Sequence, residues 1–183
     1  KPAGRISIVK YTDVVPGKWY EKAVNYVSDN GLMNGVGTGF NPDGALTRGM
    51  LVTILYRAAG SPSVSSVTNP FKDTKSDYYT NAMLWAYKNS IVTGTSATTF
   101  DPAAEISRQD MAVMLYNYAQ QAGVQLEQTT VTPFTDEGSI AAYALPAVQA
   151  LHSAGVISGM PDGSFQPQAT TTREQACVVL CAL

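Results

Sequence analysis

The chain has 183 residues, of which 45% are hydrophobic and 14% are charged, and its formal net charge at pH 7 is −2. This composition is typical of a soluble globular protein, and it excludes the strongly basic surface by which proteins hold nucleic acid. Because no run approaches the ~18 apolar residues of a membrane helix, we also expect no membrane insertion.

Apolar periodicity and turn signals predict helices in pairs along the chain. In chain order, the predicted helices are 19–30, one beginning after Thr47, 78–89, one beginning after Ser107, 141–154 and one beginning after Thr172. The helix after Thr47 has the clearest pattern, with apolar residues at i, i+3, i+4 and i+7 counted from Leu51. Loops separate the two helices of each pair, and they contain Gly35, Gly94 and Gly159.

These helix pairs are copies of one repeating unit. Arg48 and Arg108 are 60 residues apart, Arg108 and Arg173 are 65 apart, and each directly follows a hydroxyl residue. All five phenylalanines also recur in register, two residues before an aspartate (Phe71, Phe134) or two before a proline (Phe40, Phe100, Phe165). Tyr11 fills the first of these positions in the first copy. We interpret the phenylalanines as structural residues that fix the loops.

The repeats divide the chain into unit 1 (11–60), unit 2 (71–122) and unit 3 (134–183). The stretches between them, 61–70 and 123–133, are interpreted as extended connectors. One helix pair of this size buries too little surface to be stable alone, so the three units should share a core. The predicted fold is therefore mainly α, with three helix-loop-helix repeats in one compact pseudo-threefold domain.

The arginine of each unit lies at an end of its helix that disfavours a cation. The predicted N-caps are Thr47, Ser107 and Thr172. An arginine directly after the N-cap opposes the helix dipole by about 0.3 to 1 kcal/mol, so local stability does not explain it. One explanation is an anion held by the guanidinium and by free backbone amides at the helix start. The other is a buried ion pair with an aspartate, for which the candidates are Asp13, Asp73 and Asp136.

The aromatic residue near the start of each first helix also has two possible roles. Trp19, Tyr78 and Tyr143 could stack on the apolar face of a sugar, but we expect core packing to be their main role.

The sequence offers little for catalysis or metal binding. Cys177 and Cys181 are interpreted as buried thiols, because their spacing suits neither a disulfide nor a metal site. With His152 as the only histidine, neither a zinc site nor a Ser-His-Asp site is supported, and a carboxylate pair for glycoside cleavage is a minor alternative. We predict no enzyme activity, no catalytic residues, no metal site and no cofactor.

Several repeated motifs resemble the S-layer homology family. They are Asp-Val-x-x-x-x-Trp-Tyr at 13–20, Gly-Leu-Met-Asn-Gly at 31–35, Leu-Thr-Arg at 46–48, Ile-Ser-Arg at 106–108, Pro-Asp-Gly-Ser-Phe at 161–165 and Thr-Thr-Arg-Glu at 171–174. The resemblance extends from Tyr11 to Leu183, and three consecutive copies are the usual number in that family. It implies a central three-helix bundle, with ligand grooves between adjacent units.

The resemblance also implies a non-catalytic, extracellular anchor of a bacterial surface protein in the cell wall or S-layer. Its expected partner is an anionic secondary cell-wall polysaccharide, with pyruvate ketals on its sugars, and the alternative is a peptidoglycan- or protein-binding assembly module. The expected ligand-binding residues are Arg48, Arg108, Arg173, Thr47, Ser107, Thr172, Trp19, Tyr78, Tyr143, Gly35, Gly94, Gly159 and Asp162. Because the family's Thr-Arg-Ala-Glu pattern is complete in none of the copies, the three grooves are expected to be unequal.

Overall fold

The computed structural model describes residues 11–35 and 37–183, and these residues are mainly helical. The helices are α1 (Glu21–Asp29), α2 (Arg48–Ala58), α3 (Thr80–Lys88), α4 (Arg108–Ala122), a 3₁₀ helix (Glu137–Ser139), α5 (Leu145–Ser153) and α6 (Arg173–Ala182). Pairing of extended backbone in the described residues is limited to isolated bridges. The mainly α fold class is confirmed, and the described connectors 61–70 and 123–133 contain neither helix nor strand.

The second helix of each unit begins where its N-cap was predicted. The Thr47 hydroxyl accepts a hydrogen bond from the Met50 N–H, and Ser107 and Thr172 do the same for the N–H three residues further on, each at 3.2 Å. These bonds satisfy donors that an uncapped helix leaves free. Thr172 and Gln175 complete a capping box at the start of α6.

The first helix of each unit is shorter than predicted. α1 and α3 begin two residues after the predicted starts at 19 and 78, and α5 begins four residues after 141. Turns precede all three helices, and Pro146 lies in the first turn of α5, where its missing N–H is not needed. Trp19, Tyr78 and Tyr143 consequently stand two residues before their helices instead of opening them.

Helix packing links different units. α2 packs against α3, α4 against α5 and α6 against α1, so every second helix meets a first helix from another unit. The most extensive helix contacts of the described residues therefore link the three units in a closed cycle.

A ring of backbone hydrogen bonds joins the units where the second helices begin. The Leu46 N–H donates to the Thr171 carbonyl (2.8 Å), the Thr171 N–H to Ile106 (3.1 Å) and the Ile106 N–H to Leu46 (2.9 Å). The side chains of these three residues are at most 1% exposed. Because each unit both donates to one neighbour and accepts from the other, none completes this ring alone.

One hydrophobic core contains residues from all three units, and the phenylalanines confirm their structural interpretation. Phe40, Phe100 and Phe165 are at most 1% exposed, and Phe71 and Phe134 are also buried. Cys177 is buried as expected, but the expectation for Cys181 is wrong. Cys181 is exposed because it lies in the last turn of α6, where few residues cover it.

Candidate functional site

The recurring position of the three arginines, at the starts of α2, α4 and α6, reflects one contact that is made three times between units. The Nε–H of Arg48 donates to the Phe100 carbonyl at 2.8 Å, that of Arg108 to Phe165 at 2.7 Å, and that of Arg173 to Phe40 at 3.0 Å. Each guanidinium also lies over the ring of the same phenylalanine, 4.9 to 5.0 Å from its centre. The arginines are 6 to 8% exposed, so most of each side chain is an inter-unit structural element.

The backbone amides at these helix starts are not free, which corrects part of the anion hypothesis. The N–H groups of Arg48 and Gly49 donate to the carbonyls of Ala104 (3.0 Å) and Pro102 (2.9 Å), and the starts of α4 and α6 are satisfied in the same way. The loop of another unit therefore occupies the place that was expected for a ligand. An anion at these sites would have to bind through the guanidinium and through side chains.

The alternative, an ion pair between each arginine and an aspartate, is not formed as a direct contact among the described residues. Asp13, Asp73 and Asp136 act on Arg173, Arg48 and Arg108 only as more distant charges. The carboxylate of Asp13 accepts the N–H groups of Phe40 and Asn41, both at 2.7 Å, and no ion pair joins it to an arginine. Asp73 and Asp136 hold the corresponding loops of units 2 and 3. These loops need an anchor because the residue after each buried phenylalanine has a positive φ between 53° and 57°.

Burial lowers the pKa of Arg48, Arg108 and Arg173, while nearby carboxylates or other groups oppose the change. Arginine remains protonated in proteins at neutral pH, so each unit contributes a cation that its hydrogen bonds do not neutralise.

Two of these cations open onto grooves. The Arg173 groove is a cavity of about 240 Å³ lined by Arg173, Asn34, Gly35, Met50, Arg57 and Tyr78. The Nη2 of Arg173 donates to the Asn34 carbonyl at 2.7 Å, whereas Nη1 meets only the Met50 sulfur at 3.8 Å. A thioether is a weak acceptor, so Nη1 retains a donor for a ligand.

The Arg48 groove is larger, about 570 Å³, and is lined by Arg48, Thr93, Gly94, Asp110, Asn117 and Tyr143. Arg48 donates through Nη2 to the Thr93 carbonyl at 3.2 Å. The Tyr143 hydroxyl donates to Asp110 Oδ1 at 2.5 Å. Burial of this hydroxyl, together with its bond to Asp110, raises the pKa of Tyr143 to about 12. Tyr143 is therefore a protonated donor at neutral pH.

Each groove combines predicted site residues from all three units. Gly35, Arg173 and Tyr78 belong to units 1, 3 and 2, while Gly94, Arg48 and Tyr143 belong to units 2, 1 and 3. The expectation that the aromatic residues pack in the core is wrong, since Trp19, Tyr78 and Tyr143 are 61%, 58% and 63% exposed. Their rings are available for stacking because the helices begin two residues later, which leaves these side chains on the preceding turn.

The loop glycines have a steric role that the repeat pattern did not reveal. A Cβ on Gly35 would lie 2.3 Å from the Tyr11 ring, one on Gly94 2.6 Å from Phe71, and one on Gly159 2.5 Å from Phe134. The first aromatic residue of each unit thus packs directly on the backbone of its own loop.

Other predicted residues have local partners. Asp162 accepts from the Ser164 N–H (2.9 Å) and hydroxyl (2.6 Å), which fixes the turn in which it lies. Thr47, Ser107 and Thr172 are engaged as N-caps. Ligand contacts by these residues stay a prediction.

Sequence reasoning missed Arg57 and Asp110, although both line grooves. Arg57 corresponds in register to Asn117 and Ala182, and Asp110 corresponds to Met50 and Gln175. Both residues therefore break the repeat, and a search for recurring residues passes over them.

Membrane-spanning helices and metal-binding clusters are absent from the described residues. No helix there is long and apolar enough to cross a membrane. The described part of the chain also holds no group of three or more His, Cys, Asp or Glu side chains placed to bind a metal ion.

The fold and the grooves together define a helical module of three interlocked repeats with cation-lined surface grooves. The chain belongs to the S-layer homology domain family, which matches residues 10–49, 70–112 and 133–177. This match confirms the resemblance seen in the repeated motifs and their number. Family membership makes the chain a cell-surface anchoring module that is located at the cell wall.

Relatives with this module include large proteins. An endoglucanase of Bacillus sp. (strain KSM-635) is 32% identical over 94% of this chain and 18% of its own length. A cellulosome-anchoring protein of Acetivibrio thermocellus is 26% identical over 77% of this chain and 32% of its own length. An S-layer protein of Bacillus licheniformis is 28% identical over 69% of this chain and 14% of its own length. The chain thus spans a third or less of each of these relatives.

Proposed function

We propose that this module is a non-catalytic anchor that binds an anionic secondary cell-wall polysaccharide, with pyruvylated sugars as the expected ligand. The Arg173 groove carries this proposal. It offers two guanidinium groups, Arg173 and Arg57, and none of its lining residues is acidic. Tyr78 adds an aromatic ring that is 58% exposed beside these cations. A cation pair next to an accessible ring suits a saccharide that carries a carboxylate.

We further infer that the three units are related by a pseudo-threefold axis through the ring of Leu46, Ile106 and Thr171. The closed cycle of backbone bonds supports this arrangement, as does the cycle of helix pairs. Three equivalent contacts between units would then generate three related grooves, each built from parts of all the units. A wall polymer with several sugar residues engages more than one groove in this arrangement, which increases avidity without a new contact.

Sedimentation with cell walls tests the proposal. We expect purified Gram-positive walls that carry a pyruvylated secondary polymer to remove the domain from solution. Walls from which the non-peptidoglycan polymer, or its pyruvate alone, has been removed chemically should not do so. Equal sedimentation with stripped walls would contradict the proposal and would favour the alternative, peptidoglycan or protein binding.

A matched pair of aromatic variants locates the binding surface in the same assay. Tyr78→Ala removes an exposed ring in the Arg173 groove, whereas Tyr26→Ala removes a ring of similar exposure, 51%, that lies outside both grooves. We expect Tyr78→Ala alone to weaken wall binding. Equal binding by the two variants would exclude this groove from the interaction.

A further inference from the structure

The third residue of each second helix determines the charge beside an arginine that comes from another unit. In α2 this residue is Met50, and its sulfur meets Nη1 of Arg173. In α4 the same position is Asp110, which lines a groove with Arg48. The repeat therefore places an apolar thioether beside one buried cation and a carboxylate beside the other.

A second residue, the tenth of each of these helices, increases this contrast. At that position the Arg173 groove has Arg57, and the Arg48 groove has Asn117. The first groove consequently has two cations and no acid among its lining residues. The second has one cation and one carboxylate, so its lining charges balance.

Hydrogen-bonding groups in the Arg48 groove suit hydroxyl groups. Asp110 Oδ1 accepts from Tyr143, and Oδ2 makes no hydrogen bond among the described residues. The Asn117 amide nitrogen donates to the Ile91 carbonyl at 3.1 Å, which leaves its oxygen as an acceptor. Two acceptors beside the exposed Tyr143 ring match a sugar face that is apolar on one side and carries hydroxyl donors at its edge. A ligand carboxylate in the same place would be repelled by Asp110.

Building on the proposed function, we infer that the two grooves select different sugar classes: the Arg173–Arg57 groove takes a carboxylate-bearing sugar, and the Arg48–Asp110 groove takes an uncharged, hydroxyl-rich sugar. The wall polymer would then be recognised as a combination of one anionic and one neutral residue. This division depends on Met50, Arg57, Asp110 and Asn117, which differ between the copies, and not on the arginines that all copies share.

Two sugars that differ only at C6 test this inference. Methyl β-D-glucuronide carries a carboxylate where methyl β-D-glucoside carries a hydroxymethyl group. Each is titrated into the ¹⁵N-labelled domain, and the backbone amides of Gly35 and Gly94 report on the two grooves. We expect Gly35 to respond to the glucuronide at least about tenfold more tightly than to the glucoside, as expected for a charge-assisted hydrogen bond. Gly94 should respond to the glucoside at least as tightly as to the glucuronide.

Two variants, one in each groove, test whether the charged residues determine the sugar preference. Asp110→Asn should add a glucuronide response at Gly94, because the repelling charge is gone while the side-chain shape is kept. Arg57→Gln should weaken the glucuronide response at Gly35 about tenfold, since it removes one of two cations. An equal glucuronide response of both grooves in the unaltered domain would overturn the inference, as would the absence of any sugar response at either glycine.

Wall sedimentation of the same samples separates this inference from the proposed function. Wall binding that requires the secondary polymer, combined with equivalent grooves, would overturn only the division of sugar classes. Sedimentation that is independent of the polymer would overturn the proposed function itself.

Discussion

Replacing Arg108 by alanine tests whether the repeated arginine holds the units together. The variant loses the 2.7 Å hydrogen bond from Nε to the Phe165 carbonyl and the guanidinium placed 5.0 Å from the Phe165 ring centre. A hydrogen bond to a charged group contributes about 1.5 to 3 kcal/mol. The cation–π contact adds about 0.5 to 2 kcal/mol. Relief of the desolvation of a buried cation offsets part of this sum, so we expect a loss of about 2 to 4 kcal/mol.

Thermal and urea unfolding, followed by circular dichroism, measure this loss. For a chain of this size each kcal/mol lowers the midpoint by about 2 to 4 °C, so Arg108→Ala should lower it by about 5 to 15 °C. Arg57→Ala is the matched control, because Arg57 is partly exposed and makes one long bond, 3.4 Å, to the Leu32 carbonyl. Its midpoint should change by less than about 3 °C.

Equal midpoints for Arg108→Ala and the unaltered domain would refute this reasoning. The contact between units would then be held by the helix pairs, the shared core and the backbone ring without the arginine, whose role would be ligand binding. Arg108→Met separates the two parts of the effect. It keeps an unbranched stem over Phe165 but has no Nε donor, so its midpoint should lie between those of the alanine variant and the unaltered domain.

Two further predictions concern the loops. Gly159→Ala should destabilise the domain by about 1 to 3 kcal/mol in urea unfolding, because Gly159 has φ 75° and a Cβ there would lie 2.5 Å from Phe134. Gly138→Ala is the control and should have almost no effect, since nothing lies within 4 Å of a Cβ at that position. Burial opposes the shift at Asp73, but the N–H groups of Phe100 and Asp101 hold its pKa below the usual value. Its stabilising contribution is thus present above the unfolded pKa, about 4, and is lost as the pH falls through the lower folded value. Asp73→Asn should lower the thermal midpoint at pH 7 and reduce the further loss between pH 5 and pH 2, and an unchanged acid profile would contradict this assignment.

The repeated residues made much of the local structure predictable. Thr47 precedes a helical apolar pattern, and its role as N-cap follows from hydrogen-bonding chemistry within three residues of the chain. Phe40 and Phe100 recur in register, and only a shared structural role explains an invariant large apolar residue in otherwise polar loops. Local signals of this kind depend only on neighbouring residues, so they can be recognised in a single sequence.

The packing of each second helix against a first helix of another unit could not be predicted in the same way. The apolar stripe of α2 indicates that it has a partner, but the stripe of α1 would satisfy that requirement as well as the stripe of α3. The partner of each second helix is set by the backbone ring at Leu46, because this ring positions the start of each second helix against another unit. It depends on contacts more than 50 residues apart in sequence, and the periodicity contains no information about them.

The proposed function and the two-groove inference assign stability and ligand specificity to different residues of the same grooves. Arg48 and Arg173 cannot change without loss of a bond to a buried carbonyl, so they are fixed by the fold in every copy. Met50 and Asp110 line the same grooves from partly exposed positions of the helix surface. Each contacts another unit, Met50 through Arg173 and Asp110 through Tyr143, but the repeats do not share these contacts. Substitutions at these positions alter the charge around a fixed guanidinium at little cost in folding energy. Under the proposed function, such substitutions change the ligand preference of a groove while the arginines and the ring stay intact.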